Sequence, residues 1–245
     1  MNRRHFLAAS GLALLPLGVA AQQPSAAMRF SALQPGAALP PDYQVFTFRG
    51  HRRHTEYALV AEEGRTALRA RSDAAASGIL RRWHVNPRAL PALSWRWKVT
   101  RLIEKSDFAR RAGDDFPARL YVNFDLDART LPLTERVELR VARLIYGPDV
   151  PAAVLCYVWD ARAPTGSIVR SPYTGRVRLI VAESGPARLG RWLAYERDVA
   201  EDYRRAFGAE PPTISGVVVM TDTDNTGESA ETFYGDVEFR PRRPS

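Results

Sequence analysis

Short runs in which apolar and polar residues alternate recur along the chain from about residue 43 to its end. The clearest is 93–99, where Leu93, Trp95, Trp97 and Val99 fall on one side of an extended strand and Ser94, Arg96 and Lys98 on the other. The tryptophans suit a core; as an aromatic platform for sugar rings they would need an exposed face. In 116–124 the same parity buries Ala118, Leu120, Val122 and Phe124 and turns Arg119, Tyr121 and Asn123 the other way. Those three form a hydrogen-bonding strip, a ligand floor if that face is concave and ordinary sheet exterior otherwise. Further strands are predicted over 43–48, 55–61, 66–71, 78–85, 154–160, 176–183, 192–196, 216–221 and 232–240. Short strands separated by Gly, Pro and Asp turns predict an all-β fold, a two-sheet, jelly-roll-like β-sandwich with one or two short helices. No repeating period is visible, which argues against a propeller.

One helix is signalled at both ends. Asp198 with Glu201 three positions on forms an N-cap pattern, and Gly208 followed by Pro211-Pro212 closes the segment. Val199, Tyr203 and Ala206 then share a face. Residues 134–146 fit two periods: Val137, Val141, Leu144 and Ile145 suit a helix ended by Gly147-Pro148, while Val137, Leu139 and Val141 suit a strand. The helix is the preferred reading.

The chain begins with Arg3-Arg4 and an apolar run from 6 to 19 that ends in Val19-Ala20-Ala21. A membrane-spanning helix needs ~20 apolar residues, so the run reads as an export signal over 1–21, cleaved after Ala21, leaving no transmembrane segment. Arg3-Arg4 before Phe6-Leu7 resembles the twin-arginine export signal, with Asn2 where that signal has Ser or Thr; ordinary export with two incidental arginines fits equally. Residues 22–39, rich in Ala, Pro, Ser and Gln, read as a flexible tether, and 40–245 as a single β-sandwich domain. The predicted location is periplasmic or secreted. Cys156 is the only cysteine, so no internal disulfide stabilises the fold. Lying in the apolar run Val154-Leu155-Cys156-Tyr157-Val158-Trp159, it reads as a buried structural thiol rather than a nucleophile. The formal charge is +8, two units of which leave with Arg3 and Arg4. The remaining excess is scattered over 49–54, 80–84 and 241–244, a solvated basic exterior that gives nucleic acid no support as a partner.

Candidate chemistry centres on carboxylates. Asp222-Thr223-Asp224-Asn225-Thr226-Gly227 begins like the calcium loop D-x-[DN]-x-[DN]-G, but Thr226 holds the fifth position and Phe233 the twelfth, so the bidentate glutamate is missing. A structural calcium would have to draw on Asp222, Asp224 and an acid from a neighbouring strand such as Glu228 or Asp236; the alternative is an Asx-rich turn bonded to its own backbone. Asp114 and Asp115 form a second cluster, with one of them suited to pair with Arg119. A glycosidase needs two carboxylates a few ångströms apart. Asp114, Asp115, Glu183 and Asp222 are the catalytic candidates. His51, His54 and His84 show no zincin spacing, and neither a G-x-S-x-G elbow nor a phosphate-binding Gly-Lys-Ser/Thr loop occurs.

The segments 113–124, 155–160, 196–208 and 217–239, together with 93–99, resemble in their order a bacterial exported family described as domain of unknown function 3047. That resemblance implies kinship and no particular chemistry. Tyr234-Gly235-Asp236-Val237 also resembles the last strand of jelly-roll carbohydrate-binding modules. This second likeness implies rim or structural-metal roles for Asp222, Asp224 and Asp236 and ligand contacts for Arg119, Tyr121 and Trp159; Asn123 from the polar strip and Asp224 and Asn225 from the loop after the 216–221 strand are ligand-binding candidates beside them. The resulting expectation is an exported, non-catalytic binding domain for a glycan or another polar ligand of the cell envelope. The alternative is a carbohydrate-active enzyme with a carboxylate pair.

Overall fold

The computed structural model describes residues 25–48, 50–146 and 151–242. The export signal read at 1–21 lies outside them. In chain order the elements are β1 (Ser25–Met28), β2 (Tyr43–Thr47), β3 (Glu56–Glu62), β4 (Arg65–Asp73), β5 (Ala76–Val85), β6 (Ala92–Val99), β7 (Arg119–Phe124), α1 (Leu133–Tyr146), β8 (Ala153–Asp160), β9 (Ile168–Arg170), β10 (Val177–Ser184), β11 (Leu193–Asp198), α2 (Val199–Phe207), β12 (Ile214–Asp222) and β13 (Ser229–Arg240). One sheet runs β11-β6-β13-β4-β3, with β1 added to β13; the other runs β2-β5-β12-β7-β8-β10-β9. We call them the first and second sheets. All pairings are antiparallel except β8 with β10.

The predicted parity holds. Trp95, Trp97, Leu68 and Phe239 of the first sheet pack against Leu120, Val122, Leu155, Tyr157 and Val219 of the second, forming the main core. Such packing of two apolar inner faces is what makes a β-sandwich. β8 is buried along its whole length. Leu155, Tyr157 and Trp159 enter the main core, while Cys156 and Val158 join Phe116, Leu179 and Val181 in a smaller cluster on the other side. A strand covered on both faces reads as a continuous apolar run, which is the pattern of 154–159.

The tether read at 22–39 is corrected from Ser25 onward. Ser25 and Ala26 pair with Phe239 and Glu238, and Ala27, Met28 and Phe30 are fully buried. The apolar area these side chains remove from water holds a segment whose composition resembles a linker. Both helices form where read. Asp198 accepts a hydrogen bond from the Glu201 amide at 2.9 Å, and Gly208 takes φ +69°, the left-handed conformation that ends a helix. Among the described residues no helix is long and apolar enough to cross a membrane.

Candidate functional site: a cleft on the outer face of the second sheet

The second sheet carries a cavity of about 580 Å³ on the face turned away from the core. Strand register builds its floor row by row. Asn123 of β7 lies opposite Gly216 of β12, itself opposite Arg82 of β5; the next row is Tyr121, Val218 and Leu80, and the next Arg119, Met220 and Gly78. Because side chains alternate across a strand, this one register turns all of them to the same side. Val154, Val177 and Leu179 extend the floor towards β10, and Phe46 of β2 and Phe48 just after it close the other side. Gly78 belongs there for steric reasons, since a Cβ on it would sit 2.7 Å from Val218 Cγ1.

The middle of the floor is apolar and its ends are polar. Arg82, Asn123 and Ser215 line one end; Asp114, Asp222, Asp224, His51 and Asn225 line the other. At the acidic end Arg119 grips Asp222 with both arms, Nε to Oδ1 at 2.7 Å and Nη2 to Oδ2 at 2.6 Å. It also donates to the Asp114 carbonyl, lies 3.4 Å from Asp114 Oδ1, and stacks its guanidinium 4.4 Å from the Phe116 ring centre. Asp115 is held differently. Its two oxygens accept from the amide and side chain of Asn225 and from the amide (2.6 Å) and hydroxyl (2.7 Å) of Thr226. The loop after β12 is thus wrapped around Asp115, and the Tyr173 hydroxyl donates to Asn225 Oδ1 at 2.9 Å.

Burial dominates the electrostatics of this end. It pushes the carboxyls of Asp114 and Asp222 upward, with Arg119 pulling both back. Asp224 is also raised, by burial and then by the charge of Asp115, against the contact with His51 Nδ1 at 3.3 Å. Burial lifts the Tyr121 phenol above its usual range, so it is a protonated donor at neutral pH. The buried Cys156 thiol is pushed up to about 12, which suits a packing residue and not a nucleophile.

Of the residues singled out from the sequence, Asp114, Arg119, Tyr121, Asn123, Asp222, Asp224 and Asn225 all line this cleft, with Asp115 directly behind it. Three lie elsewhere. Trp159 shares the parity of Leu155 and Tyr157, so it faces the main core and donates Nε1 to the Gly185 carbonyl at 3.0 Å. Glu183 accepts from the Tyr195 hydroxyl at 2.8 Å and pairs with Arg188, outside the cleft lining. Asp236 accepts from the Ser31 amide at 2.9 Å and from its hydroxyl, so it anchors the segment after β1 and lies outside the convergent acid group.

Sequence reasoning passed over Phe46, Phe48, His51 and Tyr173. The alternation of 43–48 carried a signal for the two phenylalanines. His51 falls in the basic segment 49–54, and Tyr173 sits in a loop without periodicity.

A carboxylate oxygen from each of Asp115, Asp222 and Asp224 lies within 4.8 Å of the others. Calcium takes 6–8 oxygen ligands. Here Arg119 already covers both oxygens of Asp222, and the Asp115 oxygens carry N–H and O–H donors. An ion would have to displace those partners.

Comparison with curated proteins gives no match. Among solved structures, the family 11 carbohydrate-binding module of the cellulosomal cellulase Lic26A-Cel5E of Clostridium thermocellum aligns at 8% identity with a TM-score of 0.37, covering 86% of this chain and 94% of that one. So distant a likeness carries nothing about the site. The sequence profile described as protein of unknown function (DUF3047) matches residues 41–238, and the chain belongs to that family.

Proposed function

We propose that this chain is an exported, non-catalytic binding domain for a glycan or another polar ligand of the cell envelope, and that the cleft of the second sheet is its site. The observation that carries this reading is the composition of the cleft. An apolar floor of Leu80, Tyr121, Val218 and Met220 is bordered by the Tyr121 hydroxyl and the Asn123 amide, neither of which has a hydrogen-bond partner among the described residues. A sugar ring has an apolar C–H face and a rim of hydroxyls, and so needs a surface that is apolar underneath and polar at the border. A pocket of this volume is in the range that encloses a small ligand. Tyr121→Phe and Asn123→Ala each remove one polar contact while leaving the sheet intact. A lost neutral hydrogen bond is worth about 0.5–1.5 kcal/mol, so each variant is expected to weaken binding roughly two- to tenfold with an unchanged melting temperature. The measurement is a glycan array followed by titration calorimetry on the best hit. A blank array together with failed pull-down by cell-wall polymer would remove the reading.

A second reading, a carbohydrate-active enzyme, is favoured by one specific feature. Asp114 and Asp224 line the same cleft and burial raises both carboxyls, the direction in which a general acid is tuned. Asp114→Asn and Asp224→Asn should then abolish turnover of an oligosaccharide bound at the site, whereas a binding domain shows no turnover to lose. The structural calcium is tested separately by thermal melts with and without chelator. Superimposable curves exclude it.

A further inference from the structure

Helix α1 carries an apolar stripe that points away from the protein. Leu133, Val137 and Val141 are 70%, 51% and 48% exposed and are spaced by four residues, which aligns them along one side of the helix. The opposite side holds the contacts with the body. Leu139 is buried with Leu131 and Ala152, and Glu135 pairs with Arg176 at 2.7 Å. The stripe therefore belongs to no part of the described core. By helical geometry the exposed Arg136 and Arg140 border the stripe along one flank, and the exposed Thr134 and Glu138 along the other.

We propose that this face of α1 rests in the surface of an anionic lipid bilayer, with Leu133, Val137 and Val141 among the acyl chains at the headgroup boundary and Arg136 and Arg140 on lipid phosphates. Two arguments select a bilayer over a second copy of the chain. The stripe from Leu133 to Val141 spans about 12 Å of helix axis and, one helix diameter wide, offers on the order of 130 Å². A stable dimer needs roughly 800 Å² from each partner. An interfacial helix needs only an apolar face with basic residues beside it, because the bilayer supplies the rest of the contact. The charge is also complementary: Glu135 is taken up by Arg176, Arg136 and Arg140 outnumber Glu138 at the stripe, and the chain from Gln22 keeps a formal +6 of the whole chain's +8 once Arg3 and Arg4 are gone. This inference is independent of the ligand cleft.

The test uses the chain from Gln22 onward, which keeps every strand of both sheets and omits the apolar run at 6–19 that would itself partition into lipid. It is sedimented with vesicles of phosphatidylcholine alone or with one third phosphatidylglycerol, at low and at physiological salt. Binding to the anionic vesicles, weakened by salt, is expected. Val137→Ser with Val141→Ser should lower the partition coefficient about tenfold, and Arg136→Gln with Arg140→Gln should erase the preference for anionic lipid. Circular dichroism checks that both double variants keep their strands. The proposal is overturned by a protein that sediments with neither vesicle. It is equally overturned by binding that the Val variants leave unchanged, or by light scattering that shows a dimer dissolved by the Val variants without any lipid binding.

Discussion

Arg119 is the residue on which the acidic end of the cleft depends, because it places one guanidinium between two buried carboxylates. Its removal leaves Asp222 buried at 3% exposure without a counter-charge, a loss that costs about 3–5 kcal/mol in comparable buried pairs. Arg119→Gln is therefore expected to destabilise the protein by that amount in urea unfolding at neutral pH. The cost should shrink in acid, where the raised carboxyl of Asp222 takes up its proton. Substitution at Asp224 is expected to have the opposite effect on stability. Its carboxyl is raised from 3.8, so between that pH and its higher native value the folded protein binds more proton than the unfolded chain. Stability from this group then falls as pH rises through the window and is lowest above it. Asp224→Asn should raise the melting temperature at neutral pH, with no gain below pH 3.8, while weakening ligand binding. A residue that costs stability where it lines a cleft is the trade expected of a functional group. Asp115, with its Asn225 and Thr226 donors, should behave as structure: Asp115→Ala is expected to lower stability in urea unfolding, because it leaves those donors without their acceptor.

Local signals were enough for the helices and the long strands. The cap of α2 is one residue speaking to another three positions away, and Asp198→Ala should cost about 1 kcal/mol in thermal or urea unfolding. Parity along 93–99 and 116–124 was legible for a similar reason, since a strand with one apolar face repeats its instruction every second residue. β9 and β1 carried too few residues to repeat anything. β1 forms because β13 offers an edge and the core offers room for Met28 and Phe30. At β8 the run of apolar residues announced burial without saying which side each residue takes, and Trp159 was assigned to the ligand when its parity faces the core. Gly78 was equally silent, as its role is set by Val218 on β12, far along the chain. Gly78→Ala would overpack the cleft floor, a change that costs typically 1–3 kcal/mol, and should be visible as a lowered denaturation midpoint.

The molecule as a whole joins segments that a reading along the chain keeps apart. Ala27, Met28 and Phe30 complete the core, and Ser31 on Asp236 ties the start of the described chain to its last strand. A chain beginning at Pro40 should be less stable than one beginning at Gln22 by at least about 3 kcal/mol, the cost of losing a single buried Phe, as read from chemical denaturation. The same joining makes the cleft. Local sequence patterns alone identified an all-β sandwich, the polar strip Arg119-Tyr121-Asn123, the cap at Asp198 and the buried thiol at Cys156, because each is written in neighbours a few positions apart. It also supplied the acids at 114–115 and 222–224 without saying that they meet. Their meeting depends on β7 lying beside β12 with Arg119 opposite Met220, a register stored in no local pattern. Pairing between distant strands is chosen by the summed burial of the whole sandwich. That choice brought Asp114, Asp115, Asp222 and Asp224 to one end of a cleft and sent Glu183, Trp159 and Asp236 away from it.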